Sequence, residues 1–277
     1  MGSSMAGCLA AGHPQRQRGA GHQREGPGRR RAGAMGGLPA SWVILLAAFL
    51  ATPALGQDFV VPPADYPTLP AEAAGAEGFV PKGWRLEAQA SGDLNKDGIA
   101  DLAIVLQDTD PAKLVEHDGL GASPLDSNPR LLAVAFGERG GDYKLATTNH
   151  TLIPRRVDPV IADPLDEAGG IGIARGGLQI KLYLFSSAGS WDTRDASFTF
   201  RWQKGAFRLI GFDATNVQRN TGVVETNSVN YLTGKVETAT GTIDSDENHV
   251  ERSKIKPAPL LTLDEVGDGL AFDPGLE

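Results

Sequence analysis

The chain has 277 residues, 41% hydrophobic and 22% charged, an ordinary balance for one or two globular domains. That balance excludes a disordered chain, a collagen and a multi-span membrane protein. Residues 1–56 carry six Arg, no Lys and the single acid Glu25, for a net charge of +5, and the rest holds 20 basic against 33 acidic side chains, net −13. A body that acidic repels phosphate backbones and anionic lipid heads, so no nucleic-acid partner is expected and cations are the natural small partners.

Taken in chain order, residues 1–56 read as a disordered basic leader ending in a signal peptide. Trp42 to Leu50 is an uncharged apolar run preceded by arginines and followed by Pro53-Ala54-Leu55-Gly56. This three-part pattern predicts secretory cleavage after Gly56 and export to a periplasm or the medium. The run is shorter than the ~20 residues a bilayer span needs, so no stable membrane anchor is expected after cleavage. The only cysteine, Cys8, lies in the leader. The exported body can therefore form no disulfide, thiolate metal site or cysteine nucleophile.

Residues 57–82 form a Pro- and Ala-rich lead-in with at most one short helix, around Ala71 to Ala76. Residues 83–277 are expected to be a single β-rich domain. Short runs of Val, Ile, Leu, Phe and Tyr alternate there with Gly, Asn and Asp. Strands are predicted at Leu102 to Leu106, Leu131 to Phe136, Tyr143 to Thr148 and Leu178 to Phe185. Further strands follow at Ser197 to Trp202, Phe207 to Phe212, Val223 to Tyr231 and Lys235 to Thr240. Lys204-Gly205 reads as a hairpin turn in which Gly205 supplies a positive φ. No long amphipathic helix is evident, so sequential strands should pair as an antiparallel meander, shaped as a propeller blade or a small barrel or sandwich. Asn149 to Gly170, with three prolines and several acids, reads as a surface loop or flap of functional interest. Asp244 to Asn248 reads as a solvated loop.

The segment Gly92-Asp93-Leu94-Asn95-Lys96-Asp97-Gly98-Ile99-Ala100-Asp101 carries the clearest chemistry. Oxygen-bearing side chains fall at the first, third, fifth and ninth places, Asp93, Asn95, Asp97 and Asp101, with Gly98 at the sixth. A hard cation such as Ca²⁺ takes 6 to 8 oxygens, and this spacing supplies carboxylates, an amide and the backbone carbonyl of Ile99. A strand follows where a helical calcium hand would place a helix and a closing Glu. A plain polar turn needs only one or two such residues. The loop and its strand setting resemble the repeat unit of the FG-GAP/VCBS family found in integrin-type propellers. The resemblance continues through Leu131 to Tyr143 and covers about residues 90–145. It implies calcium as the bound ion, with ligand roles for Asp93, Asn95, Asp97 and Asp101.

The three histidines of the body, His117, His150 and His249, lack zinc-site spacing, and no G-x-S-x-G elbow is present. Trp202 alternates with Phe198 and Phe200 and is expected to pack. Trp191, in a small-residue loop, is the best exposed aromatic for contact with a protein or glycan ligand. The expectation is an exported non-enzymatic binding or structural module pinned by one calcium loop. Its rival is an exported, glycan-directed hydrolase with a site on the loops near Trp191 and Asn149 to Gly170.

Overall fold

The computed structural model describes residues 59–166 and 169–276. The segment expected to be a signal peptide, the cleavage expected after Gly56, and Cys8 all lie outside the described residues. Within them the chain is all-β, with every strand pairing antiparallel. The strands are β1 (Glu72–Ala73), β2 (Trp84–Gly92), β3 (Asp101–Asp108), β4 (Leu114–Val115), β5 (Leu125–Asp126), β6 (Arg130–Gly137) and β7 (Tyr143–Asn149). They continue as β8 (Gly170–Ala174), β9 (Gly177–Phe185), β10 (Asp192–Gln203), β11 (Ala206–Gln218), β12 (Val223–Asn230), β13 (Lys235–Thr242) and β14 (Ser245–Lys254). One sheet has the order β1-β7-β6-β3-β2, and β4 and β5 form a small ladder. The other sheet, β8 through β14, is a pure meander curled into a half-barrel. No described helix is long and apolar enough to cross a membrane.

β3 and β6 are continuous apolar runs because both faces of their sheet are covered. Ala103, Val105, Leu132 and Val134 pack toward the half-barrel, against Leu178, Ile180, Phe198, Phe200 and Leu209. Leu102, Ile104, Leu106, Leu131, Ala133 and Ala135 face the other way and are closed over by Leu69 and Phe79. The lead-in is therefore a structural layer of the domain. The helix expected around Ala71 to Ala76 does not form. Glu72 and Ala73 pair with β7 instead, and a 3-10 turn follows at Ala76–Phe79. Gly75 and Gly78 weaken a helix here, and the tertiary partner takes the backbone.

In the half-barrel the Lys204-Gly205 turn has φ of 51° and 78°, the left-handed pair that a two-residue hairpin requires. A bulge lies one step further on. Thr199 pairs with Gly211 and Phe200 with Leu209, so Ile210 is an extra residue. The insertion lets Leu209 and Phe212 both face the core, which strict alternation forbids. Phe272 of the C-terminal segment packs edge-on against Phe198 and Phe212.

The expected flap is a loop between β7 and β8 that is partly buried and bridges to the sheet edge at Ile161–Ser186. Leu152 and Ile153, in the expected flap, are buried. β8 is too short to pair all of β9, and the flap segment takes the vacant edge. Tyr183 N–H donates to the Pro164 carbonyl, Ala162 N–H to Phe185 and Ser187 N–H to Val160. The backbone groups left by a short neighbour strand are thus satisfied. Asp244 to Asn248, expected as a solvated loop, runs into β14, an edge strand with all ten residues exposed. Its charges suit a sheet edge and give no burial signal to read.

Candidate functional site

The candidate ion-binding loop joins β2 to β3 between the paired residues Gly92 and Asp101. Leu94 is buried and anchors it to the core. Asp101 is fully buried and ties the loop on two sides. Its Oδ2 accepts Leu94 N–H at 2.7 Å and Asn95 N–H at 3.3 Å, while its Oδ1 accepts Gly137 N–H at 2.9 Å. Burial raises the Asp101 pKa, the three backbone donors oppose that rise, and the charge of Asp97 adds to it. Gly137 is needed at this junction, because a Cβ there would lie 2.4 Å from the Ala100 carbonyl oxygen.

The exposed part of the loop is shaped by its own side chains. Asp93 accepts Lys96 N–H at 2.6 Å through Oδ1 and Gly98 N–H at 3.1 Å through Oδ2. Asn95 accepts Asp97 N–H and donates to the Asp97 carboxylate, both at 3.0 Å, and Asp97 accepts Ile99 N–H at 2.8 Å. Each carboxylate oxygen has about two acceptor positions. Asp93 and Asp97 therefore use one per oxygen and keep the rest, while Asp101 spends its oxygens on three donors. The groups that fit a hard cation best are Asp93, Asn95, Asp97 and the Ile99 carbonyl, with Asp101 as the fastener beneath them. No three His, Cys, Asp or Glu side chains among the described residues form a metal-holding group on their own. A cation here would rely on the Asn95 amide and the Ile99 carbonyl as well.

A second candidate lies on the inner face of the half-barrel, where the apolar core ends. Arg194 and Asp192 continue the line of Phe198 and Ala196, Asn216 and Gln218 continue that of Phe212 and Ala214, and Glu225 and Asn227 precede Val229. Arg194 Nε donates to Asn216 at 2.7 Å. Asn227 donates to Glu225 at 2.7 Å and accepts from Thr238 at 2.8 Å. Asp192, Arg194, Asn216, Gln218 and Glu225 open into a cavity of about 570 Å³, lined also by Ile161 and Leu184. That volume suits a small-molecule ligand.

Trp191 is 62% exposed, as its loop setting predicts. It stands outside the cavity lining and over the Arg219 guanidinium, which lies 5.7 Å from the Trp191 ring and 4.5 Å from the Phe185 ring. Trp202 packs on Phe136 and Phe207. The histidines have separate partners: His117 meets Phe59 and the Ala122 carbonyl, His150 stacks on Tyr66, and His249 lies beside Glu251 in β14.

Sequence reasoning missed the cavity and a buried ion cluster. Arg130, 4% exposed, donates to Glu87 at 2.6 and 2.8 Å and to Asp163 at 2.7 Å. Burial opposes its charge, and the two carboxylates outweigh burial to hold its pKa above the ordinary Arg value. The pairs are 43 and 33 residues apart, so no local pattern could reveal them.

The fold and these sites define an all-β protein of two apposed antiparallel sheets with an acceptor-rich loop at one hairpin. Comparison with protein-family models, with curated proteins and with solved structures returns no match.

Proposed function

We propose that this chain is an exported, non-enzymatic binding and structural module with one calcium loop of the FG-GAP/VCBS type. The ion's role is to pin the β2–β3 hairpin and neutralise the acids gathered at 93–101. The inner-face cavity is the seat for a ligand, and export rests on the leader pattern. The observation that carries the calcium reading is the unspent acceptor capacity of Asp93, Asn95 and Asp97, held on one curled loop by Asp101. An extracellular-type affinity, Kd on the order of 10⁻⁴ to 10⁻³ M, suffices for this role.

The test is the melting temperature of the protein in chelator, Mg²⁺ and Ca²⁺. Calcium at ~100 Kd stabilises a native-only site by roughly 2.7 kcal/mol. For a domain of this size that is a rise of about 5 to 10 °C. The rise is expected to be calcium-specific and absent from Asp97→Ala; a parent protein that melts alike in all three solutions defeats the reading.

The hydrolase reading draws on one observation, the presence of both Asp192 and Glu225 in the cavity lining. Paired carboxylates perform glycoside hydrolysis. Release of reducing sugar from a glycan panel, abolished in both Asp192→Asn and Glu225→Gln, would favour it over the binding module.

A further inference from the structure

The outer face of the half-barrel carries a hollow of about 470 Å³. Ala174, Gly177 and Ile210 line it together with longer polar side chains. Gly172, Gln179, Thr199 and Gly211 lie in one cross-strand row. Arg175, Gln179, Thr199 and Arg201 stand around this hollow, and no carboxylate lines it.

Neither guanidinium has a counter-ion. Arg201 Nε is buried without a hydrogen-bond partner, and among the described residues no hydrogen bond or ion pair joins the side chain of Arg201, or that of the exposed Arg175, to another group. The residue directly across from Arg201 is Arg208, a third cation, which donates to the Leu260 carbonyl. Asp195, further along β10, is engaged by Lys181 at 3.7 Å. An acidic protein thus keeps uncompensated positive charge in one depression. Arg175 sits at φ 53° in the β8–β9 turn, and a Cβ at the neighbouring Gly176 would come within 3.6 Å of the Asp93 carbonyl and 3.7 Å of the Lys96 side chain. A buried charged donor without a partner is unfavourable, and an oxyanion relieves it with strong charge-assisted hydrogen bonds.

We propose that this hollow is an oxyanion site that takes phosphate or sulfate, free or as the terminal group of a larger ligand. Guanidinium forks match these tetrahedral anions, and the Gln179 amide and Thr199 hydroxyl supply further donors. The proposal does not depend on calcium at the loop.

The test is calorimetric titration of the full chain with sodium phosphate and sodium sulfate at ionic strength held constant with sodium chloride. Saturable binding is expected, with Kd on the order of 10⁻³ M or tighter. Arg201→Met and Arg175→Asn should each weaken it about tenfold or more. Asn tolerates the left-handed backbone at position 175, so that variant decides the matter if Arg201→Met does not fold. A phosphorylated sugar that binds at least as tightly as inorganic phosphate, while its unphosphorylated parent does not bind, identifies a terminal group; tighter inorganic phosphate identifies the free anion. Absence of saturable heat with both anions, or binding that Arg175→Asn leaves intact, overturns the proposal.

Discussion

β3 buries all eight of its residues, whereas β14 exposes all ten of its own. Both belong to regular antiparallel ladders, so backbone pairing does not distinguish them. The difference is in what covers their faces. β3 lies between the lead-in layer and the half-barrel, and its central residues Leu102 to Leu106 are apolar on both sides. From β12 to β14 the inner face holds only Val229 and Val236 as buried residues. The outer strands are linked instead by polar cross-strand contacts: Asp213 to Ser228 at 2.6 Å, Thr238 to Asn227 at 2.8 Å and Arg252 to Glu237 at 2.8 Å. Such contacts contribute a few tenths to about 1 kcal/mol each, while burying one large apolar side chain contributes about 1.5 to 3 kcal/mol. Stability is concentrated in the doubly covered part, and the polar fringe is free to present chemistry.

Three substitutions test that division, in descending order of expected effect. Phe198→Ala, at the centre of the aromatic cluster, should destabilise by about 3 to 5 kcal/mol in denaturant unfolding; a loss below about 1 kcal/mol would mean that the two sheets are not held by this core. Asp101→Asn sharpens the comparison at the end of β3. The replacement amide nitrogen cannot accept, so either Gly137 N–H or the Leu94 and Asn95 N–H groups lose their partner, at about 1 to 3 kcal/mol. Chelator-treated protein is the proper sample, because the loss is then that of the fastener alone, and an unchanged denaturation midpoint would show that Asp101 does not bind the loop to β6. Val250→Ala, on β14, should shift stability by no more than about 0.5 kcal/mol. A loss comparable to that of Phe198→Ala would show the fringe to be part of the core.

Legibility in the sequence follows the same division. The runs of β3 and β6 are apolar without interruption, and Phe198, Phe200 and Trp202 keep strict alternation, so their elements could be read from composition and period. β14 could not, because a strand exposed on both faces has no apolar period and its Asp, Glu and Asn mimic a loop. The short helix at Ala71 failed for the opposite reason: the backbone there is claimed by β7, some 70 residues away in the chain. At the candidate sites, the spacing of Asp93, Asn95 and Asp97 is local and was readable. The fastening role of Asp101 toward Gly137 was not, since it joins residues 36 apart. Arg194, Asn216 and Glu225 come from three strands, and Arg175 and Arg201 from a turn and a distant strand. Only the register of the folded sheet brings each set together.

The layer formed by Leu69 and Phe79 has a consequence for the order in which the molecule can be assembled. It leaves the ribosome before the surface it covers, which is built from β3 and β6, and its own two-residue strand pairs with Tyr143 and Lys144. That layer must wait, unpaired, until about 70 further residues have followed it. Closing such a long loop is entropically slow. This layer therefore cannot close until β7 has been made, and a chain cut short before β7 would leave the Leu102, Ile104 and Leu106 face of β3 without it.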